Sequence, residues 1–176
     1  DYNRVASFFT RGCNAASPTQ YGSTVAIGNV VVSPSEFMPR LFAENGRLLD
    51  SQGRITLDTP EALRALENYR ETYSYSDRTI YDFWKNALEG FADGTAAMTV
   101  VFINYASHIL NSQMSRIAGK LGFAPVPGGK PLLGGGVIGI AQSCTCPAAA
   151  CKFLEWLYSD LVAPVFTMLG GLSPCR

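Results

Sequence analysis

Thiols are the most reactive groups in this sequence. Cys144, Cys146, Cys151 and Cys175 fall near its C-terminal end, and Cys13 lies far from them. Zinc knuckles usually space paired cysteines by two to four residues. Here "CTCPAAAC" spaces them by one, and by four only across a helix start, so no metal is expected. A disulfide among the four suits an exported protein better than a metal, and free buried thiols need the fewest assumptions. His108, the sole histidine, sits beside Ser107 on a helix spaced for packing, which alone does not make a nucleophile and base. Glu36, Glu44, Asp50 and Asp58 could supply the paired carboxylates of glycoside cleavage, but three of them have cap or turn roles.

Two glycine motifs fail on context. "GGGVIG" (134–139) fits G-x-G-x-x-G, yet it continues as strand where the dinucleotide fingerprint must open a helix. "VPGGKP" lacks the hydroxyl residue that follows the P-loop lysine. No catalytic constellation and no cofactor are expected. Binding chemistry is more promising in "GFADGTAAMTVVFIN" (90–104), where a helix stops at Asp93-Gly94 and a small-residue strand begins at once. That strand carries Phe102, Asn104 and Tyr105 to its terminus, where an open α/β sheet offers its ligand crevice. The competing reading of Phe102 and Tyr105 is core packing. Gly134, Gly135 and Gly136 would let a ligand or a neighbouring backbone come close, or mark a strand entry or bulge.

The elements that must position these groups follow from periodicity, which switches between about 2 and about 3.6 along the chain and so predicts an α/β domain. "STVAIGNVVV" (23–32) reads as a buried strand. A helix follows with Ser33 as cap, Pro34 at its first position and Glu36 closing a capping box; Phe37, Leu41 and Phe42 face inward, Pro39 bends it and Asn45-Gly46 ends it. "GRLLDSQGRITLD" predicts a hairpin turning at Ser51-Gln52-Gly53. The next helix is capped by Asp58 or Thr59, with Leu63, Leu66, Tyr69 and Tyr73 as its stripe. Further helices are predicted over 80–91 (Phe83, Ala87, Leu88, Phe91 on one face), over 105–117 (Ala106, Ile109, Leu110, Ile117) and from Pro147 (Ala150, Phe153, Leu154, Leu157). Strands are predicted at "TAAMTVVFI", "LGFAPVP" and "GGGVIGIAQ".

Of the 176 residues, 47% are hydrophobic and 16% charged, which suits one globular domain with a real core. Zero formal net charge weighs against nucleic acid or anionic lipid as partner. The longest apolar runs, "AAMTVVFI" and "LLGGGVIGIA", are far shorter than the roughly 20 residues of a membrane helix. The start, "DYNRVASFFTRGCN", has neither signal-peptide character nor a methionine, so any signal or anchor lies outside the chain, which reads as a piece of something longer.

Four stretches in this order carry a family resemblance: "AENGRLLDSQGRITLDTPEALRALENY", "FADGTAAMTV", "GKLGFAPVPGGKPLLGGGVIGIAQ" and "AAACKFLEWLYSD" running to "GGLSPCR". Together they resemble the extracellular solute-binding proteins of bacterial ABC importers, in the group that contains maltose-binding protein, over roughly residues 20 to 176. The resemblance implies a type II periplasmic-binding-protein-like lobe, a mixed β-sheet flanked by helices, within a two-lobed protein of about twice this length. The first lobe is mostly absent. It implies an N-terminal helix and linker over 1–20, a main α/β lobe over 21–127, a glycine-rich crossing and return strand over 128–146, and a C-terminal helical segment over 147–176.

It further implies capture of a carbohydrate in an interlobe cleft that a hinge closes, for delivery to a membrane permease, with no enzymatic activity. An aromatic just beyond the Ala-Met strand stacks on the sugar in that family. Here Asn104 or Tyr105 stands near that position and the tryptophan is missing, which puts sugar specificity in doubt. An amide can still bond hydroxyls, and a tyrosine ring can cover a sugar C–H face. Phe37 resembles in placement another such aromatic, although it lies on the Leu41 stripe. The relatives imply an extracellular or periplasmic location, lipid-anchored to the outer face of the cell membrane, with membrane contact only through an anchor outside this chain. The alternative is a solute-binding-like sensory or protein-interaction module, with a cysteine-dependent redox or metal protein behind it. A single lobe supplies half the contacts and should bind solute weakly or not at all.

Overall fold

A computed structural model describes residues 1–28, 30–79 and 84–171. They form two compact units, one of Asp1–Val101 with Ile109–Leu132, the other of Phe102–His108 with Leu133 onward.

The first unit is built on two strands, β1 (Tyr21–Thr24) and β2 (Ala96–Thr99). They pair in parallel, with Tyr21 opposite Ala96 and Ser23 opposite Met98. Parallel strands need a long crossover, and the chain supplies it with α2 (Val32–Ala43), α3 (Pro60–Ser74) and α4 (Trp84–Ala92), while α1 (Tyr2–Phe8) precedes β1. Among the described residues the sheet has two strands, both parallel, in place of the larger mixed sheet expected. Gly22 explains how α1 reaches the sheet. A Cβ there would lie 1.7 Å from the Ala6 carbonyl oxygen, so only glycine admits the helix.

The strand predicted over 23–32 ends at Thr24. Beyond it, backbone groups go to side chains rather than to a neighbouring strand. The Ala26 amide donates to Glu36 Oε1 at 3.4 Å and the Gly28 amide to Ser33 Oγ at 3.3 Å. This also corrects the capping box: α2 starts after Val31 with no side-chain cap, and Glu36 turns inward instead of back to Ser33. At the other end Asn45, in the left-handed region at φ 62°, closes a Schellman motif in which Gly46 N–H donates to Leu41 O and Asn45 N–H to Phe42 O. The hairpin is present in minimal form, as one antiparallel bridge, Leu49 to Ile55.

Thr59 caps α3 by accepting from the Ala62 amide, with Pro60 in the first turn. The buried stripe is Ala62, Ala65, Tyr69 and Thr72, and the predicted Leu63 and Leu66 face solvent. Both stripes share Tyr69 and recur at helical spacing. The small residues win because alanine lets α3 approach α2 closely, forming a core of Leu41, Ala62 and Ala65 with Phe37 against it. A second core joins Ala26, Val32 and Ala87, flanked by Trp84. On α4, Ala87 and Leu88 are buried as expected and Phe91 is half-buried; Phe83 lies outside the described residues. The helix ends as predicted at Asp93-Gly94, where Gly94 at φ 77° closes a Schellman motif and β2 follows.

The helix predicted over 105–117 is shorter. α5 (Ala106–Leu110) buries Ile109 but exposes Leu110. Asn111 stops it by accepting the Gln113 amide in an Asx turn, and Ser115 and Arg116 then both donate to the Ala92 carbonyl. In the second unit, α6 (Pro147–Leu157) opens with proline as expected, and α7 (Ala163–Met168) follows. Of the four positions predicted inward on α6, Leu157 is buried, Ala150 and Leu154 are half-buried and Phe153 is exposed. "GGGVIGIAQ" and "LGFAPVP" are not strands: a strand needs a partner's N–H and C=O groups, and these segments have no ladder. The described cysteines are free. Cys13 is exposed; Cys146 and Cys151 are also exposed, not buried as expected, and Cys144 is half-buried; Cys175 lies outside the described residues.

Candidate functional site

The sequence-derived site residues divide between the units. Phe102, Asn104 and Tyr105 belong to the second unit, in a 3-10 turn over Ile103–Tyr105 that Phe102 introduces and α5 continues. The Tyr105 amide donates to the Phe102 carbonyl, and Ser107 Oγ donates to that of Asn104, so the turn is internally fixed. All three side chains are half-buried. Two glycines support the turn from within the same unit. A Cβ at Gly134 would come to 2.6 Å from the Phe102 ring, and one at Gly170 to 2.6 Å from Ser107 Oγ. The Gly134 backbone therefore lies close against the Phe102 ring, an approach that a side chain there would obstruct. Gly135 and Gly136 are exposed, and Gly135 has open space around it. Phe37 lies in the first unit, packed against the Leu41, Ala62 and Ala65 core.

The first unit also holds a cleft of about 480 Å³ that sequence reasoning missed, lined among others by Tyr2, Asn3, Arg40, Asn68, Glu71 and Gly128. Its polar groups are oriented in advance. Asn3 Nδ2 donates to Glu71 Oε2 at 3.0 Å and to the Asn68 carbonyl at 3.2 Å, while Thr72 Oγ1 donates to Asn3 Oδ1 at 2.7 Å, fixing the amide's orientation. Arg40 is held by an ion pair to the buried Glu36 at 3.1 Å and lies over the Tyr69 ring at 4.8 Å. Burial raises the Glu36 carboxyl above its ordinary range, against the opposing pull of the Arg40 charge. Burial first, and then the Glu36 charge, push the Tyr69 phenol up to about 12, so it remains a hydrogen-bond donor at physiological pH. The Tyr2 phenol is likewise raised by burial and shares a 2.7 Å bond with Ser23 Oγ. These residues come from separate segments with no common spacing, so no local pattern announces them.

An amide, a guanidinium and a carboxylate fixed around an open cleft suit hydrogen bonding to a polar solute. Three of the four carboxylates considered for acid-base work face an arginine: Glu36 faces Arg40, Glu44 faces Arg64 and Asp50 faces Arg54. Among the described residues no group of three or more His, Cys, Asp or Glu is placed to hold a metal, and no helix is long and apolar enough to cross a membrane.

Residues 36–162 match the family described as bacterial extracellular solute-binding protein. A curated relative, the probable amino-acid ABC transporter periplasmic-binding protein y4oP of Sinorhizobium fredii, is 21% identical over 94% of this chain and 38% of its own length. Among solved structures, an ABC transporter solute-binding protein from Agrobacterium radiobacter K84 in complex with ribitol superposes with a TM-score of 0.80, at 21% identity over 98% of this chain and 45% of its own. The maltose-bound MalE3 of T. maritima superposes with a TM-score of 0.75, at 28% identity over 89% of this chain and 43% of its own. The chain thus spans less than half the length of each of these proteins.

Proposed function

The chain belongs to the bacterial extracellular solute-binding protein family, and from that membership we propose that it is part of the solute-capturing component of an ABC importer, with a sugar or polyol as cargo. The observation that carries the reading is the 0.75 superposition on a maltose-bound protein at 28% identity over 89% of this chain. The ribitol complex supports the same ligand class. Asn104 and Tyr105 contact the solute in this reading, the amide bonding hydroxyls and the ring covering a C–H face. Phe102 and Gly134 form the floor beneath them, and Gly135 and Gly136 leave room for the ligand. Capture proceeds by closure around the solute, and the closed form is what a membrane permease recognises. The protein works outside the cytoplasm, held to the membrane's outer face by a lipid anchor beyond this chain.

The test is a thermal-shift screen of the full-length protein with ribitol, maltose and other sugars. Amino acids serve as the comparison arm, because one relative carries an amino-acid name. A solute at about 100 times its dissociation constant adds about 2.7 kcal/mol of stability. A sugar-dependent shift that Asn104→Ala or Tyr105→Ala removes supports the reading; a shift with amino acids alone overturns the carbohydrate assignment.

A further inference from the structure

The loop that leaves the carboxyl end of β1 has an anchorage out of proportion to its length. Both backbone polar groups of Ala26 end on side chains, and these belong to different helices. Its N–H reaches Glu36 Oε1 on α2 at 3.4 Å, and its C=O accepts from the Tyr69 hydroxyl on α3 at 3.5 Å. These long bonds are tightened indirectly. Arg40 pairs with Glu36 at 3.1 Å, also donates to the Glu36 backbone carbonyl, and covers the Tyr69 ring at 4.8 Å. Ala26, Glu36, Arg40 and Tyr69 thus close a ring of contacts, and both Ala26 and Glu36 are buried.

The carboxyl end of a parallel strand is where an open α/β sheet presents its ligands. We propose that Glu36 is a positioning residue for solute capture, fixing the backbone at Ala26, just beyond the carboxyl end of β1. The proposal rests on the solute-binding reading above. Glu36 has no contact with solute in this role; it acts through Ala26, and Arg40 acts through Glu36. A core-filling residue at this position would need no acceptor, and a buried carboxylate carries a desolvation penalty that an apolar side chain avoids.

The experiment compares wild type, Glu36→Gln and Tyr69→Phe in the full-length protein. It measures the dissociation constants for ribitol and maltose together with residue-resolved amide hydrogen exchange. Tyr69→Phe keeps the ring beneath Arg40 and deletes only the hydroxyl that reaches Ala26, so it remains informative where Glu36→Gln fails to fold. The expected result is a dissociation constant raised about tenfold in Glu36→Gln and about threefold in Tyr69→Phe, with faster exchange at Ala26 and unchanged exchange within α3. Exchange that rises equally across α3 and Ala26, or a dissociation constant within twofold of wild type despite faster Ala26 exchange, overturns the proposal, since a merely structural role gives those outcomes. If wild type binds neither solute, the carbohydrate reading fails separately. The same three proteins are then compared with the amino acid that gives the thermal shift, and an affinity unchanged in both variants removes the positioning role.

Discussion

Leu41 on α2 is fully buried, while Leu161, between α6 and α7, is 83% exposed. The two leucines stand for their units. In the first, two strands and four helices bury Leu41, Leu88, Val25 and Val32 completely, and its polar interior is matched bond for bond around Asn3, Thr72 and Glu36. In the second, burial among the described residues is confined to small sites such as Leu157 and Ala163, while Leu133, Val137, Phe153, Trp156 and Met168 face solvent. Apolar content is similar in character in both. The difference is that the first unit gives large side chains such as Leu41 and Leu88 a partner, although Ile55, Leu63, Leu66 and Phe123 are exposed there too. A helix or strand face is stabilised by what it is placed against, and sequence amphipathicity alone supplies only half of that contact.

This contrast can be broken by substitution. Leu41→Ala removes a fully buried side chain and should lower the stability of the first unit by about 2–5 kcal/mol in urea titrations. Gly22→Ala should cost toward the upper end of about 1–3 kcal/mol, because the new Cβ meets the Ala6 carbonyl and forces α1 off β1; unchanged stability would show that α1 docks differently. Thr59→Ala deletes the α3 cap and should cost about 1 kcal/mol. At the small end, Leu161→Ser and Met168→Ser in the second unit should each change stability by less than about 0.5 kcal/mol. Losses comparable to that of Leu41→Ala would make the two units equivalent.

The Glu36 site sharpens the comparison through pH. Burial holds its carboxyl above the ordinary 4.5, with Arg40, Tyr69 and Tyr2 as the ionisable groups around it. A raised folded-state value means the folded state holds the proton more tightly. The stabilisation is complete below the unfolded value and is lost as pH rises through the folded one. Wild type should therefore lose stability relative to Glu36→Gln as pH climbs from 4.5, measured by paired denaturation curves. The reverse slope would mean that the Arg40 pair outweighs desolvation.

Local signals in the sequence read well where a single segment carries the cause. Thr59 and Pro60 start α3, Asp93-Gly94 stops α4, Pro147 opens α6, and Asn45-Gly46 ends α2, each through a backbone bond that a few neighbouring residues define. Phe102, Asn104 and Tyr105 were expected at the terminus of the strand "TAAMTVVFI", but β2 ends at Thr99 and Phe102 instead introduces a 3-10 turn over Ile103–Tyr105. Readings that needed a distant partner fared differently. "STVAIGNVVV" stops being strand at Thr24 because Glu36 and Ser33 take its amides, and "GGGVIGIAQ" has the composition of a strand without a ladder to join. On α3 the spacing allowed two stripes, and only the approach of α2 selected alanines over Leu63 and Leu66.

The sequence by itself determined the starts of α3 and α6, the stops of α2 and α4, the α/β character and the family, because caps, turns and motif order are properties of short segments read in register. Tertiary structure alone decided which face each helix buries, where β1 ends, and that Asn3, Arg40, Asn68 and Glu71 share one cleft. Those outcomes depend on groups far apart in sequence competing for the same hydrogen bonds and the same space, which no local spacing records.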